Sequence, residues 1–275
     1  MDVEQFKRER LGRQLCEHAI RGEPDGVAQM LALGAPSTFL DEEGRTALMA
    51  AIFSGSLACV KHLAPVSDLS QTGGGGATAL ICAASMRKAF ADLAGIVEAI
   101  LPGSPLGARS STGMSALDMA CSLGNYSAAE AIVKYAEATG QEDYKIRGAD
   151  DMTPLMWAAR LGDPSLAAFM VERSDPDAAI EIGFTALRIA IDSGSFECSK
   201  LLIPVTDVRV SSVDNVSCRV AIEYNHRFDV AQVAELLRLH DCRLASVAAR
   251  KEQAALSMST PGSSSEGARR WRGRI

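Results

Sequence analysis

The sequence predicts an all-α fold, a solenoid of about seven stacked helix-turn-helix repeats joined by finger loops. Three observations carry this expectation. A short phrase recurs as Thr46-Ala-Leu-Met-Ala-Ala51, Thr78-Ala-Leu-Ile-Cys-Ala83, Ser115-Ala-Leu-Asp-Met-Ala120, Thr153-Pro-Leu-Met-Trp-Ala158 and Thr185-Ala-Leu-Arg-Ile-Ala190. The copies lie 32, 37, 38 and 32 residues apart, and a degenerate one, Val216-Ser-Cys-Arg-Val-Ala221, follows after 31 more. Glycine returns in phase with them at Gly55, Gly124, Gly162 and Gly194. Finally, hydrophobic residues make up 47% of the chain and aromatics only 5%, which suits cores of Leu, Ala, Ile and Val between closely paired short helices. Self-similarity at such a period marks a repeat array whose units touch only their neighbours.

One repeat shows the grammar. Thr153 caps a helix with its hydroxyl, and Pro154 takes the first helical position, where its missing N–H costs nothing. Leu155, Ala158 and Ala159 then form one apolar face at i, i+3 and i+4. Gly162 ends that helix in a left-handed cap, and Leu166, Phe169 and Met170 give a second apolar stripe. Asp175-Pro176-Asp177 punctuates the chain before the next phrase. Second helices are expected over 57–63, 96–101, 128–135, 196–202 and 230–237, with Asn225 as the left-handed cap of the last copy. Each helix is too short to stand alone, so stacking must supply its stability.

These phrases resemble the ankyrin-repeat family over about residues 15 to 242. The resemblance implies antiparallel helix pairs in an L-shaped array with projecting fingers. Met49, Met156, Asp118 and Arg188 stand where the family's motif usually has His, which leaves the fingers without their usual His-mediated tie. The T-A-L-M wording is also similar to stand-alone arrays of parasitic protists (the protein 21.1 type), whose relatives include arrays on NEK-like kinases. No kinase motif is present here. Leu15 to Leu33 reads as an N-terminal capping repeat, and the unit carrying Cys218 in place of Leu as the C-terminal one. Insertions at Arg87–Asp92 and Ala138–Arg147 lengthen, in turn, a connection between paired helices and a finger loop.

The expected division is an extension over 1–14, the array over 15–242, and a helix followed by a Ser/Gly-rich basic tail over 243–275. From Arg243 onward seven Lys/Arg face two Asp/Glu, a net of +5, so the preceding residues carry −11 of the total −6. An acidic array lacks the positive footprint that nucleic-acid binding requires. No apolar run reaches membrane-spanning length, and the charged start is unlike a secretory signal. Seven scattered cysteines without a CxxC pair indicate neither a disulfide framework nor a zinc site. A reduced, cytoplasmic protein is the expectation.

No catalytic site, metal site or cofactor is expected. Gly73–Gly76 lacks the Gly-Lys-Ser/Thr of a phosphate loop and reads as a finger loop. His18, His62, His226 and His240 are dispersed without ligand spacing. Partner-binding residues follow from the family resemblance, in which partners meet the fingers and the first helices. The implied positions include Glu42, Glu43, Arg45, Glu181 and Ile182 on fingers, and Phe53, Leu123 and Tyr224 at helix ends. Met114, Met152, Phe184, Leu161 and Arg160 are expected to form one central patch. The bland alternative is that some of these apolar residues pack between fingers. Trp157 is expected in the inter-repeat core. The partner expected is another protein with a basic patch. An anionic membrane or nucleic acid is the lesser reading, reached through the basic cluster Arg269–Arg274, with the array as passenger.

Overall fold

The computed structural model describes residues 3–86, 92–141, 148–208 and 217–259. Fourteen α-helices lie among them, in seven antiparallel pairs, with no strand beyond one isolated bridge between Ala179 and Thr185. First helices are α1 (Val3–Arg21), α3 (Ala47–Phe53), α5 (Ala79–Ala84), α7 (Ala116–Leu123), α9 (Pro154–Leu161), α11 (Ala186–Asp192) and α13 (Cys218–Glu223). Their partners are α2 (Pro24–Ala32), α4 (Leu57–Leu63), α6 (Leu93–Ile100), α8 (Tyr126–Thr139), α10 (Pro164–Val171), α12 (Phe196–Leu202) and α14 (Val230–Ser259).

The repeated phrase does two jobs in every unit. Its hydroxyl is the N-cap: Thr46, Thr78, Ser115, Thr153 and Thr185 accept from the amides of Met49, Ile81, Asp118, Met156 and Arg188 at 3.1–3.4 Å. Its Leu and second Ala are the stack. Leu48, Leu80, Leu117, Leu155 and Leu187 are at most 1% exposed, and Ala51, Ala83, Ala120, Ala158 and Ala190 are fully buried. Small Ala lets successive first helices approach, so α1, α3, α5, α7, α9, α11 and α13 form one continuous row. The second helices form the outer row. Between α8 and the α10 repeat, Tyr126 meets Phe169 edge-on with ring centroids 5.5 Å apart, and Arg173 Nε donates to Glu137 at 3.0 Å.

Several expectations change. The last cap is Ser217, whose hydroxyl accepts from Val220 N at 3.4 Å. The true phrase therefore starts one residue later than the degenerate copy suggests, and the period closes at 32 from Thr185. Cys218 takes the first Ala position, and Arg219, exposed, takes that of Leu. Asn225 does not adopt the left-handed cap. Its side chain instead donates to the carbonyl of Ile191 in the preceding repeat, and its oxygen accepts from Arg227 N at 2.9 Å. Part of the second insertion extends α8 to Thr139 before Gly140 ends it, while 142–147 lie outside the described residues. Arg87–Ala91 and the basic cluster Arg269–Arg274 lie outside them too. The boundaries at 14/15 and 242/243 fall inside single helices, α1 and α14.

The fingers share one backbone register. The first amide of each loop donates to the carbonyl four residues on: Asp41 to Arg45, Gly73 to Ala77, Ser110 to Met114, Gly148 to Met152, and Ile180 to Phe184, at 2.8–3.1 Å. The fourth residue is left-handed throughout: Gly44, Gly76, Gly113, Asp151 and Gly183. The tie that the absent His would have made is replaced by main chain. Gly74 N donates to Gly44 O at 2.7 Å, and Ser111 N donates to Gly75 O at 2.8 Å. That close approach explains the glycine run. A Cβ on Gly73 would sit 2.6 Å from Gly44 O, and one on Gly74 would sit 2.8 Å from Glu43 O. Gly75 and Gly76 both have positive φ.

Gly74→Ala is therefore expected to destabilise the chain by about 1–3 kcal/mol, the usual cost of overpacking against an unyielding neighbour. Urea unfolding checks it, and an unchanged midpoint would contradict the finger-stitching account. Asp150, at φ 56°, holds a conformation that suits glycine better. Asp150→Gly should stabilise by about 1 kcal/mol, read as a higher unfolding midpoint.

Candidate functional site

The first helices and the fingers form one face of the array, and residues reach solvent there in two separate rows. The first row lies at the turn end of the first helices. Phe53, Leu123 and Leu161 are the last residues of α3, α7 and α9, with 43%, 47% and 45% of their surface exposed. Tyr224 follows α13 directly and is 73% exposed. Ile20 occupies the matching place near the end of α1 and is also exposed. The rest of α3 is buried and most of α7 and α9 is too, so the apolar side chains left out of the stack there are held on a rigid base; α13 buries only Cys218 and Ile222.

The second row lies at the finger bases, just before each N-cap. Met114, Met152 and Phe184 belong here, at the opposite end of the first helices from Leu161 and Arg160. An eight-residue helix separates the two ends by about 12 Å. The five residues expected as one patch are thus split between two rows. Met152 is buried at 5% exposure and is removed from the partner surface. It joins the hydrophobic core, while its carbonyl accepts from Gly148 and its amide donates to Ala149. Met114 and Phe184 are half-buried.

Arginines shape both rows. Arg160 is exposed and its guanidinium lies 5.3 Å from the centre of the Trp157 ring. Trp157 is half-buried against the core, and its indole N–H has no partner among the described residues. Arg188 lies 4.7 Å from the Phe184 ring centre and donates to both Asp192 oxygens at 3.0 Å. Arg45 folds back into its own finger, 2.8 Å from Asp41 and 2.9 Å from Glu43. Glu42, Glu181 and Ile182 project from fingertips.

One buried acid sits beneath this face. Asp118 is fully buried, and its Oδ2 accepts from Ser115 N at 3.0 Å and Ser115 Oγ at 2.7 Å. Arg109 is 3.8 Å away from the same oxygen, and Oδ1 has no hydrogen-bond partner among the described residues. A Cβ on Gly148 would overlap the carboxylate, so the fourth finger presses directly on it. Burial pushes the Asp118 carboxyl above its ordinary value, against the Ser115 donors and Arg109 that hold it down. Six of the seven cysteines are buried and all are free. Burial pushes the Cys16 thiol up to about 12 and Cys82 up to about 11, which suppresses thiolate chemistry. Among the described residues no three His, Cys, Asp or Glu side chains come together as metal ligands, and no helix is long and apolar enough to cross a membrane.

The family model for ankyrin repeats in three copies matches residues 15–101 and 120–214. The chain belongs to the ankyrin-repeat family. Among solved structures it is similar to the ankyrin repeat domain of Bcl-3, a unique member of the IkappaB protein family. That match has TM-score 0.65 and 18% identity, covering 82% of this chain and 97% of that one. It is also similar to the human ASB11 ankyrin repeat domain, with TM-score 0.66 and 18% identity, covering 81% and 96%. No curated protein matches the chain. At these identities the neighbours establish the fold alone.

The exposed apolar row was readable as separate residues but not as a row, because position seven or eight after the cap alternates between Phe, Ser, Leu, Asp and Tyr. Ile20 and the buried state of Asp118 were not read from the sequence.

The raised Asp118 pKa makes a signed prediction. The folded state binds its proton more readily than the unfolded state, so the stability linked to this group is present at low pH. It is lost as pH rises from the ordinary carboxylate range through the raised folded value. Asp118→Asn should remove that dependence, so the variant gains on the wild type between pH 4 and pH 7. Parallel urea titrations at the two pH values would show otherwise if the difference stays constant.

Proposed function

We propose that this chain is a non-catalytic interaction scaffold whose protein partner lies across the finger and first-helix face. The observation that carries this is the row Phe53, Leu123, Leu161 and Tyr224, left exposed at the ends of the stacked first helices. Apolar and aromatic anchors fixed on a rigid base lose little entropy on binding, which is what an interface centre needs. Arg160, beside Leu161, and the acidic fingertips Glu42, Glu43 and Glu181 suit the rim. Met114 and Phe184 contribute their exposed edges at the finger bases. The net negative array favours a partner with a basic patch, steered to it electrostatically and weakened by salt. We place the protein in the cytoplasm on its unpaired, scattered cysteines. The wording of its repeats supports kinship with stand-alone protist arrays.

The test is affinity purification from the native cell with the full chain and with a Phe53→Ser, Leu123→Ser, Leu161→Ser, Tyr224→Ser variant. Specific partners should be lost, with affinity reduced by more than about tenfold if even one or two anchors are hot spots. Phe53, Leu123 and Leu161 keep more than half of their surface covered, so each Ser should cost on the order of 1 kcal/mol, and circular dichroism of the variant shows that the fold is kept. An unchanged partner list would remove this face from consideration. Replacing Arg269, Arg270, Arg272 and Arg274 by Gln should leave capture intact; its loss would instead favour the tether reading.

A further inference from the structure

A groove at the first repeat adjoins the row described above. It runs between α1 and the first finger, encloses about 350 Å³, and has Ile20 and Leu40 on its floor at 46% and 42% exposure. Glu17, Asp41, Glu42 and Glu43 outnumber Arg13 around it. Arg45 engages Asp41 and Glu43, and Arg21 lies 3.7 Å from Glu17, which leaves Glu42 as the carboxylate with no cation among the described contacts.

The finger ladder supplies an independent observation. In the second and third fingers the amide of the second loop residue donates to a carbonyl of the preceding finger, Gly74 to Gly44 and Ser111 to Gly75. Glu42 is the equivalent residue of the first finger. Its N–H has no hydrogen-bond partner among the described residues, nor have those of Ala149 and Glu181, the equivalent residues of the fourth and fifth fingers; Glu42 differs from these in lying beside the groove. A free main-chain donor beside an apolar groove can pair with the carbonyl of an extended segment, whose side chains the groove then selects. Here the groove calls for a main-chain carbonyl at Glu42 N–H, an apolar anchor against Ile20 and Leu40, and cations toward Glu17 and Glu42.

The chain carries such a segment itself. Arg269-Arg-Trp-Arg-Gly-Arg274 places one Trp among four arginines, within a stretch of net +5 that follows an array of net −11. Reach decides whose groove it fills. Six repeat steps separate α1 from α13, about 50–60 Å at ordinary helix spacing. Trp271 is twelve residues beyond the end of α14, and twelve residues span at most about 43 Å in any conformation. Measured from the last two repeats, on which α14 packs, the segment falls short of its own groove. We propose that Arg269–Arg274 docks in the first-repeat groove of a second copy, with Trp271 on the apolar floor. Such a contact is heterologous and joins copies head to tail. It adjoins the partner face, sharing Ile20, Glu42 and Glu43 with it, while Phe53, Leu123, Leu161 and Tyr224 take no part, so association of the purified chain alone reads this contact apart from partner capture.

Sedimentation of the purified full chain over a wide concentration range tests this without any partner. The wild type should self-associate, and salt should weaken it. A groove variant, Leu40→Ser with Glu42→Lys, and a segment variant, Arg270→Gln with Trp271→Ala and Arg272→Gln, should each weaken association by at least about tenfold. Mixing the two should restore one-to-one pairs, because each supplies what the other lacks. A wild type that stays monomeric, association untouched by either variant, or a mixture that fails to pair would overturn the proposal. Circular dichroism of both variants shows whether the fold is kept. Should Leu40→Ser with Glu42→Lys not fold, Glu42→Lys alone, at an exposed fingertip, gives the same reading.

Discussion

The structure depends on the stacking of short first helices through the Leu and Ala of the repeated phrase. Helices of six to eight residues do not persist alone in water. Each exists because Leu48, Leu80, Leu117, Leu155 or Leu187 is buried between two neighbours and because a Thr or Ser satisfies the first free amides. Stability in such an array is nearest-neighbour, so the weak unit is the last, where Arg219 replaces the stacking Leu. There the 30-residue helix α14 compensates. It packs on both α12 and α13, and Arg219 pairs with Glu223 and Asp241.

Once the first helices are stacked, the fingers have little freedom. Their spacing equals the helix spacing, and the loops must bond to one another or to water. The second finger resolves this with glycine alone, bringing its backbone against that of the first. The fourth finger resolves it differently, by two left-handed aspartates above a buried carboxylate. Rigid display therefore comes from the same packing that makes the fold, and the residues that packing leaves outside are those available to a partner.

Much of the fold was legible because its signals are local. The cap, the Leu and Ala positions, the turn glycines and the second helices over 57–63 and 196–202 follow directly from residue type and period. What was misread was either a choice between adjacent residues or a contact between repeats. The one-residue slip in the last repeat arose because Val216 mimics the phase of Thr while Ser217 makes the bond. Asn225 has the chemistry for a left-handed cap, but the carbonyl of Ile191 in the preceding repeat offers it a better partner. Met152 looks like a surface anchor in a list of residues, and only the path of its loop buries it. The candidate surface was legible as a set of positions, whereas its division into two rows about 12 Å apart required the helix ends to be located in space.

The central claim is that function resides on the face built by fingers and first-helix ends. Hydrogen exchange of the full chain, alone and bound to its captured partner, tests it most directly. Bound protein should gain protection at the ends of α3, α7, α9 and α13 and in the fingers between them, with the outer helices α4, α6, α10 and α12 unchanged. Protection confined to the outer helices, with the first-helix ends exchanging as in the free chain, would contradict the account.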